Sequence, residues 1–228
     1  MKKQVVVIGL GRFGTSLAET LAATGHDVLA IDRFEKAVQN ASSRVTHAVQ
    51  ADATSETVLK ELGVDSFDIG VVAIGTSIEN SVLVTLLLKK LGVPRVIARA
   101  TNELHHTILT KIGADMVVSP EFEMGRRLAH GAVLPGVSGY LDIREGYGIV
   151  RLTAPALFIG KSLANIGIGP GGKLGIAVLL IQRGKEIIIN PAQSEVIETL
   201  DTLILAGNDE ELGKLLTIKV EDKEKKKS

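Results

Sequence analysis

Three glycines and an aspartate stand where a phosphate and a ribose could be held. Gly9-Leu10-Gly11-Arg12-Phe13-Gly14 follows a β-branched run, Gln4–Ile8, and enters a stretch with helical spacing at Phe13, Leu17 and Leu21. In that setting each glycine has a separate task. Gly9 permits the tight turn, Gly11 lets a phosphate approach the backbone, and Gly14 lets the helix pack on the strand. The helix start presents unpaired N–H groups to an anion. Asp32 closes the next strand, the usual place for a carboxylate that accepts from ribose hydroxyls. The competing reading is structural: turn glycines, and an aspartate that caps the next helix. A carboxylate at this place also disfavours a 2′-phosphate, although Arg33 beside it softens the repulsion.

Arg12 sits at the start of the same helix. A cation beside the positive end of the helix dipole is slightly unfavourable unless an anion is near. It reads either as a phosphate partner or as a solvated surface arginine. Asp52-Ala53-Thr54 follow a third strand and Ala73-Ile74-Gly75 end a fourth. Both places border the adenine side of such a crevice. Asp52 serves equally well as a helix N-cap.

These residues need a scaffold. Gln4–Ile8, Asp27–Ile31 and His47–Gln50 read as strands, and Phe13–Ala23, Glu35–Ala41 and Ser55–Leu62 as helices. The pattern restarts with strand Ile69–Ile74, helix Ile78–Leu91, strand Arg95–Arg99, helix Glu103–Ile112 and strand Asp115–Val118. VVVIG at Val5–Gly9 and VVAIG at Val71–Gly75 mark equivalent places in two halves. The predicted fold class is α/β, a Rossmann-type doubly wound parallel sheet. Ser119-Pro120-Glu121 opens a further helix, with proline at the first position and an acid in the first turn. That helix runs to about Val133 and completes a domain over residues 1–134. Its apolar residues Phe122, Met124, Leu128 and Val133 call for burial against something, in the same chain or another. Residues 135–218 carry short apolar runs at Ile149–Leu152, Ile176–Ile181, Glu186–Ile189 and Thr202–Ala206, which predict a small β-rich α+β domain. The charged stretch 219–228 is expected to be disordered.

Composition narrows the chemistry. The 26 basic residues balance 26 acidic ones, which argues against nucleic acid as partner. With no cysteine, thiolate metal sites, disulfides and cysteine nucleophiles are excluded. The apolar start breaks at Gly9, Gly11 and Arg12, too early for a signal peptide. No run reaches the roughly 18 apolar residues of a membrane span. A cytoplasmic protein is expected, one that serves a membrane only from outside it. The alternative is an NAD(H)-dependent oxidoreductase. Against it, all five histidines lie at or before His130, and the small second domain has no acid–base cluster. His105-His106 begins a helix, where the two rings diverge; both are read as structural or surface residues. No enzyme activity is expected.

VVVIGLGRFG (Val5–Gly14), GHDVLAID (Gly25–Asp32), THAVQADAT (Thr46–Thr54), VVAIG and KIGADMVVSPEFEMG (Lys111–Gly125) together resemble the RCK (KTN/TrkA) family of gating proteins, in particular the KtrA-type subunits of bacterial potassium uptake systems. The resemblance runs to about Ile218, more loosely in the second domain, an RCK C-lobe. It implies paired N-lobes, an octameric ring on the inner face of the membrane, and a membrane-embedded potassium transporter as partner. It implies ATP or ADP as ligand, with NAD(H) the choice of TrkA relatives. By this resemblance Arg12 reaches the phosphates and Arg99 lies near them. Glu121, in the "PE" segment, takes part in a Mg²⁺ or Ca²⁺ site between subunits. The C-lobe of many such proteins binds cyclic di-AMP between two copies. Here Asn165–Gly172 is glycine-rich where relatives commonly carry arginine, while Asn190-Pro191 keeps the family pattern.

Overall fold

The computed structural model describes residues 2–133 and 136–217. The boundary at 134/135 and the charged tail, 219–228, fall outside them. The chain forms two compact units, Met1–Phe122 and Glu123–Ser228.

The first unit alternates strand and helix: β1 (Gln4–Ile8), α1 (Arg12–Ala23), β2 (Asp27–Asp32), α2 (Glu35–Ser42), β3 (His47–Gln50), α3 (Glu56–Glu61), β4 (Ile69–Val72), α4 (Ile78–Lys90), β5 (Arg95–Arg99), α5 (Glu103–Lys111) and β6 (Met116–Val118). All six strands pair in parallel, in the order β3-β2-β1-β4-β5-β6. This is the doubly wound arrangement expected. It explains why β1 is apolar without alternation. Val6 and Ile8 join the core with Leu59, Val84 and Leu88, while Val5 and Val7 face the opposite core with Ala18, Leu17 and Leu21. Both faces of this central parallel strand are covered, so Val5 to Ile8 are all buried.

Element ends depart from the expected bounds for local reasons. Ser55 and Leu62 prove to be caps of α3 rather than helix interior, and Ser55 accepts a hydrogen bond from Val58 N. Ser77 and Asn102 cap α4 and α5 in the same way. β4 stops at Val72 rather than Ile74. Ala73 N still donates to Ile8 O at 2.8 Å, but Ile74 and Gly75 then leave the sheet.

His105, Asp68 and Asp115 are among the groups in this unit that tie stability to pH. His105 is fully buried, and burial lowers its pKa from the ordinary 6.5. Asp68 accepts from Gln4 N at 2.9 Å and Asp115 from Val96 N at 2.6 Å. Those backbone bonds, with Lys3 and Lys89, hold both carboxyls below the ordinary 3.8. In each case the unfolded chain takes up protons first as pH falls, so stability present at neutral pH is lost on acidification. Denaturant titrations from pH 8 to pH 3 should show one decline starting below about 6.5 and a second below about 4. His105→Gln should remove the upper decline; if that decline survives, His105 is not its source.

The helix α6 (Pro120–Val133) begins in the first unit and ends in the second. The second unit then has β7 (Val137–Arg144), β8 (Tyr147–Thr153), α7 (Leu163–Ile166), β9 (Ala177–Arg183), β10 (Glu186–Ile189), β11 (Thr202–Asn208) and α8 (Asp209–Thr217). Its five strands are antiparallel, in the order β10-β9-β11-β8-β7. Alternate residues such as Val150, Leu152, Leu203 and Leu205 meet Phe158, Leu163, Ile197, Leu212 and Leu215 in a core of their own. β7 and α8 were not anticipated. Only Tyr140 of β7 is buried, so the strand carries no apolar run, and α8 opens on three acids.

Candidate functional site

At the carboxyl ends of β1 to β5 the first unit opens into a cleft of about 350 Å³. Cleft walls come from Gly9, Gly11, Asp32, Arg33, Asp52, Ala53, Thr54, Ala73, Ile74, Gly75 and Arg99, eleven residues singled out by sequence, together with others that were not. Arg12 is exposed at the first position of α1 and does not line this cleft. Phe13 is half-buried behind the loop, and Gly14 is buried.

The three loop glycines differ in what holds them. Gly9 has a left-handed φ of +98°, and a Cβ there would press on the backbone of Ala73 and Ile74 at 3.1 Å. A Cβ on Gly14 would lie 1.9 Å from Gly9 O. Those two are demanded by the protein itself. Gly11 is not: it has extended backbone, φ −73°, and a Cβ would meet nothing within 4 Å. It borders only the open cleft. Behind it, α1 starts with no side-chain cap and no acid in its first turn, whereas α3, α4 and α5 each have both. The positive end of α1 therefore lacks the compensation given to those three helices, which suits an incoming anion. An adenine nucleotide fits this test: the residues leave its phosphates a cradle that protein atoms do not use.

Asp32 is not a helix cap. The α2 cap is Phe34. Asp32 Oδ2 instead accepts from Leu10 N at 2.6 Å, and Oδ1 from Phe34 N at 2.9 Å. The carboxylate thus fixes the glycine loop to the end of β2 and keeps unused lone pairs for further donors. Asp52 is no cap either, since Ser55 fills that place. Its Oδ1 accepts from Thr54 Oγ1 at 2.6 Å and from Thr54 N at 2.9 Å, and these bonds, with Arg33 nearby, hold its carboxyl below the usual range. The Arg33 guanidinium lies 4.6 Å from the centroid of the exposed Phe34 ring, forming a flat cationic shelf at the cleft lip.

Across the glycine loop, Arg99 Nη2 donates to Glu121 Oε1 at 2.5 Å. Among the described residues no three His, Cys, Asp or Glu side chains converge as metal ligands. Glu121 is thus a single acid, paired with a cation within its own chain.

Sequence reasoning missed Leu10, Phe34, Ala37, Thr76 and Asn80 among the lining residues. Phe34 follows Asp32 by two positions. Thr76 and Asn80 flank the start of α4 after VVAIG, the counterpart of the glycine loop in the other half; either relation could have found them.

In the second unit a concavity of about 390 Å³ is lined by Gly169, Pro170, Gly171, Gly172 and Asn190 with apolar neighbours, and by no charged side chain.

Comparison with known proteins agrees with this architecture. The TrkA-N domain family matches residues 5–120 and the TrkA-C domain family residues 148–219. Ktr system potassium uptake protein C of Bacillus subtilis (strain 168) is 43% identical over 208 residues, covering 91% of this chain and 93% of that protein. The GsuK RCK domain superposes with a TM-score of 0.66 at 17% identity, over 95% of this chain and 48% of that one. The GsuK channel bound to NAD gives 0.51 at 25% identity, over 94% of this chain and 38% of that one. The chain spans less than half of the GsuK chains it matches.

Proposed function

Because the chain belongs to the TrkA (RCK) family, with a TrkA-N domain followed by a TrkA-C domain, we propose that it is the nucleotide-sensing regulatory subunit of a potassium uptake system. The observation that carries this is Gly11: a glycine that the protein's own packing does not require, at the uncapped start of α1, with Asp32 holding the loop beneath it. The Ktr relative supplies the context of potassium uptake.

The bound nucleotide supplies the signal through its terminal phosphate. ATP and ADP share adenine and ribose, so a difference in response has to arise at the phosphate end. The loop N–H groups bind phosphate, and Arg12, exposed outside this cleft, supplies charge-assisted hydrogen bonds to a terminal phosphate held by a second copy of the chain. Asp32 accepts from the ribose. Ala37 and Ala53, with the Arg33–Phe34 shelf, lie on the side of Asp32 and suit a flat base. Glu121 offers one hard oxygen to a Mg²⁺ or Ca²⁺ ion, and does so once Arg99 has turned away from it. Phe122, Met124 and Leu128 remain exposed on α6 and give a second copy of the chain an apolar surface to cover, in keeping with an oligomeric ring. The subunit acts from the cytoplasmic side on a membrane-embedded partner; among the described residues no helix is long and apolar enough to cross a membrane. The concavity of the second unit has no cation for a dianionic dinucleotide, so cyclic di-AMP would depend on charges brought by a second copy. No catalytic step is assigned.

A second reading, an NAD(H)-sensing regulator, is favoured by the GsuK channel having been solved with NAD. Titration calorimetry with ATP, ADP and NADH tests both readings. The wild-type protein is expected to bind ATP and ADP. Asp32→Ala should weaken binding ten- to hundredfold, the worth of about 1.5–3 kcal/mol for a hydrogen bond to a charged group. Equal affinities in wild type and variant for all three ligands would remove Asp32 from the site.

A further inference from the structure

Gly75 follows β4 at the point where the chain leaves the sheet, and its φ lies outside the left-handed region. What forbids a side chain there is Arg99. A Cβ on Gly75 would lie 2.6 Å from Arg99 Nη1, 2.9 Å from Cζ and 3.1 Å from Nη2. All three atoms belong to one guanidinium, which therefore rests on the glycine backbone. The Arg99 side chain is only 18% exposed. Its Nη2 is tied to Glu121, and its Nε is buried with no hydrogen-bond partner. A half-buried guanidinium that lines the cleft, with a single carboxylate on one of its arms, has charge left for an anionic acceptor.

Its place in the sheet says which anion. The strands run β2-β1-β4-β5, so Asp32 at the end of β2 and Arg99 at the end of β5 stand three strand spacings apart, about 14 Å. The glycine loop lies between them. A nucleotide whose ribose meets Asp32 runs its phosphates over that loop toward Arg99. A dinucleotide in such a crevice carries its second nucleoside across the β1–β4 boundary. The ground it would enter is covered by the guanidinium lying on Gly75.

We infer that Arg99, laid on Gly75 and tethered by Glu121, is the residue that makes this cleft select an adenine mononucleotide with terminal phosphates over a dinucleotide. The inference rests on the reading of the cleft as an adenine-nucleotide site. A terminal phosphate gains two parallel charge-assisted bonds from the guanidinium. A nicotinamide nucleoside offers it no anion and has to displace it, and the oxidised, cationic ring is repelled as well. The order of affinity is therefore ATP and ADP ahead of NADH, with NAD⁺ last. Glu121 acts as the positioning residue. It holds the guanidinium over Gly75, and it competes with phosphate for the same donors.

Calorimetry on the full chain with ATP, ADP, NADH and NAD⁺, each without divalent cation, tests this. Arg99→Ala should lose ten- to a hundredfold in ATP affinity, keep or gain affinity for NADH, and so narrow or invert their ratio. Glu121→Gln should tighten ATP, because a competitor has gone; a purely structural role for Glu121 would not raise affinity. Arg99→Lys, which keeps the charge but not the fork, should fall between wild type and Arg99→Ala, and it carries the test if the alanine variant fails to fold. Wild-type binding with an ATP:NADH ratio unchanged by Arg99→Ala, or by Arg99→Lys in its place, overturns this inference alone. A wild-type protein that binds none of the four overturns the nucleotide reading and the inference with it.

Discussion

Gly11→Val is expected to cost the protein its nucleotide, roughly a hundredfold in affinity, while the empty protein melts within about 2 °C of wild type. The separation follows from what surrounds the glycine. Its backbone is extended, φ −73° and ψ −174°, which valine adopts without strain. Apart from its chain neighbours, no protein atom lies within 4 Å of the new Cβ, so the first added carbon meets open space. The unfolded chain loses some freedom, which helps folding slightly. The added methyl groups enter the space that a phosphate needs against the loop N–H groups. Gly14→Ala is the opposing case. In an ordinary helix that change gains up to about 1 kcal/mol. Here the methyl would sit 1.9 Å from Gly9 O, backbone that cannot turn aside, and the expected result is a loss of about 3 kcal/mol of stability. Thermal melts and nucleotide titrations on both variants decide the matter. If Gly11→Val binds ATP as wild type does, the cradle assigned to the loop is not where the phosphates lie.

That contrast marks how far the sequence could be read. Gly9, Gly11 and Gly14 were assigned separate tasks from their spacing, and the strand–loop–helix context could be read because β1 is buried on both faces and so shows one unbroken apolar run. Capping could not be read so well. Asp32 and Asp52 each had a cap as alternative, and only the backbone separates them from Phe34 and Ser55, the residues at those places. The Arg99–Glu121 pair was out of reach for a different reason. Twenty-two positions separate the partners, and the bond forms only because β5 and the start of α6 end side by side. In the second unit the legible strands were those with alternate core residues. β7, with a single buried side chain and two register shifts against β8, gave no periodic signal.

The largest stability effect is expected in that second unit, at a charge that cannot leave the core. Asp201 is fully buried. Arg183 grips it with both arms of its fork, Nε to Oδ1 at 3.0 Å and Nη2 to Oδ2 at 2.9 Å, while Nη1 reaches Glu195 and Glu198. Asp201 Oδ2 also accepts from Glu198 N at 2.9 Å, so the pair ties the end of β9 to the turn before β11. Burial alone would raise the Asp201 pKa. The Arg183 and Glu198 hydrogen bonds outweigh it and hold the carboxyl below its ordinary range. Arg183→Met keeps most of the aliphatic stem but leaves a buried carboxylate without its counter-ion, a change that costs about 3–5 kcal/mol. The sign of the pH dependence should then reverse. In the wild type this group stabilises above the unfolded pKa of about 3.8 and loses that contribution as pH falls. In Arg183→Met the unrelieved desolvation raises the folded pKa, so the variant gains stability relative to wild type as pH drops toward 4. Adding Asp201→Asn to Arg183→Met removes the charge, keeps an acceptor for Glu198 N, and should return most of the loss. The double-mutant cycle measures the coupling directly. If Arg183→Met unfolds at the wild-type denaturant midpoint, or the second substitution restores nothing, the pair does not hold this unit together.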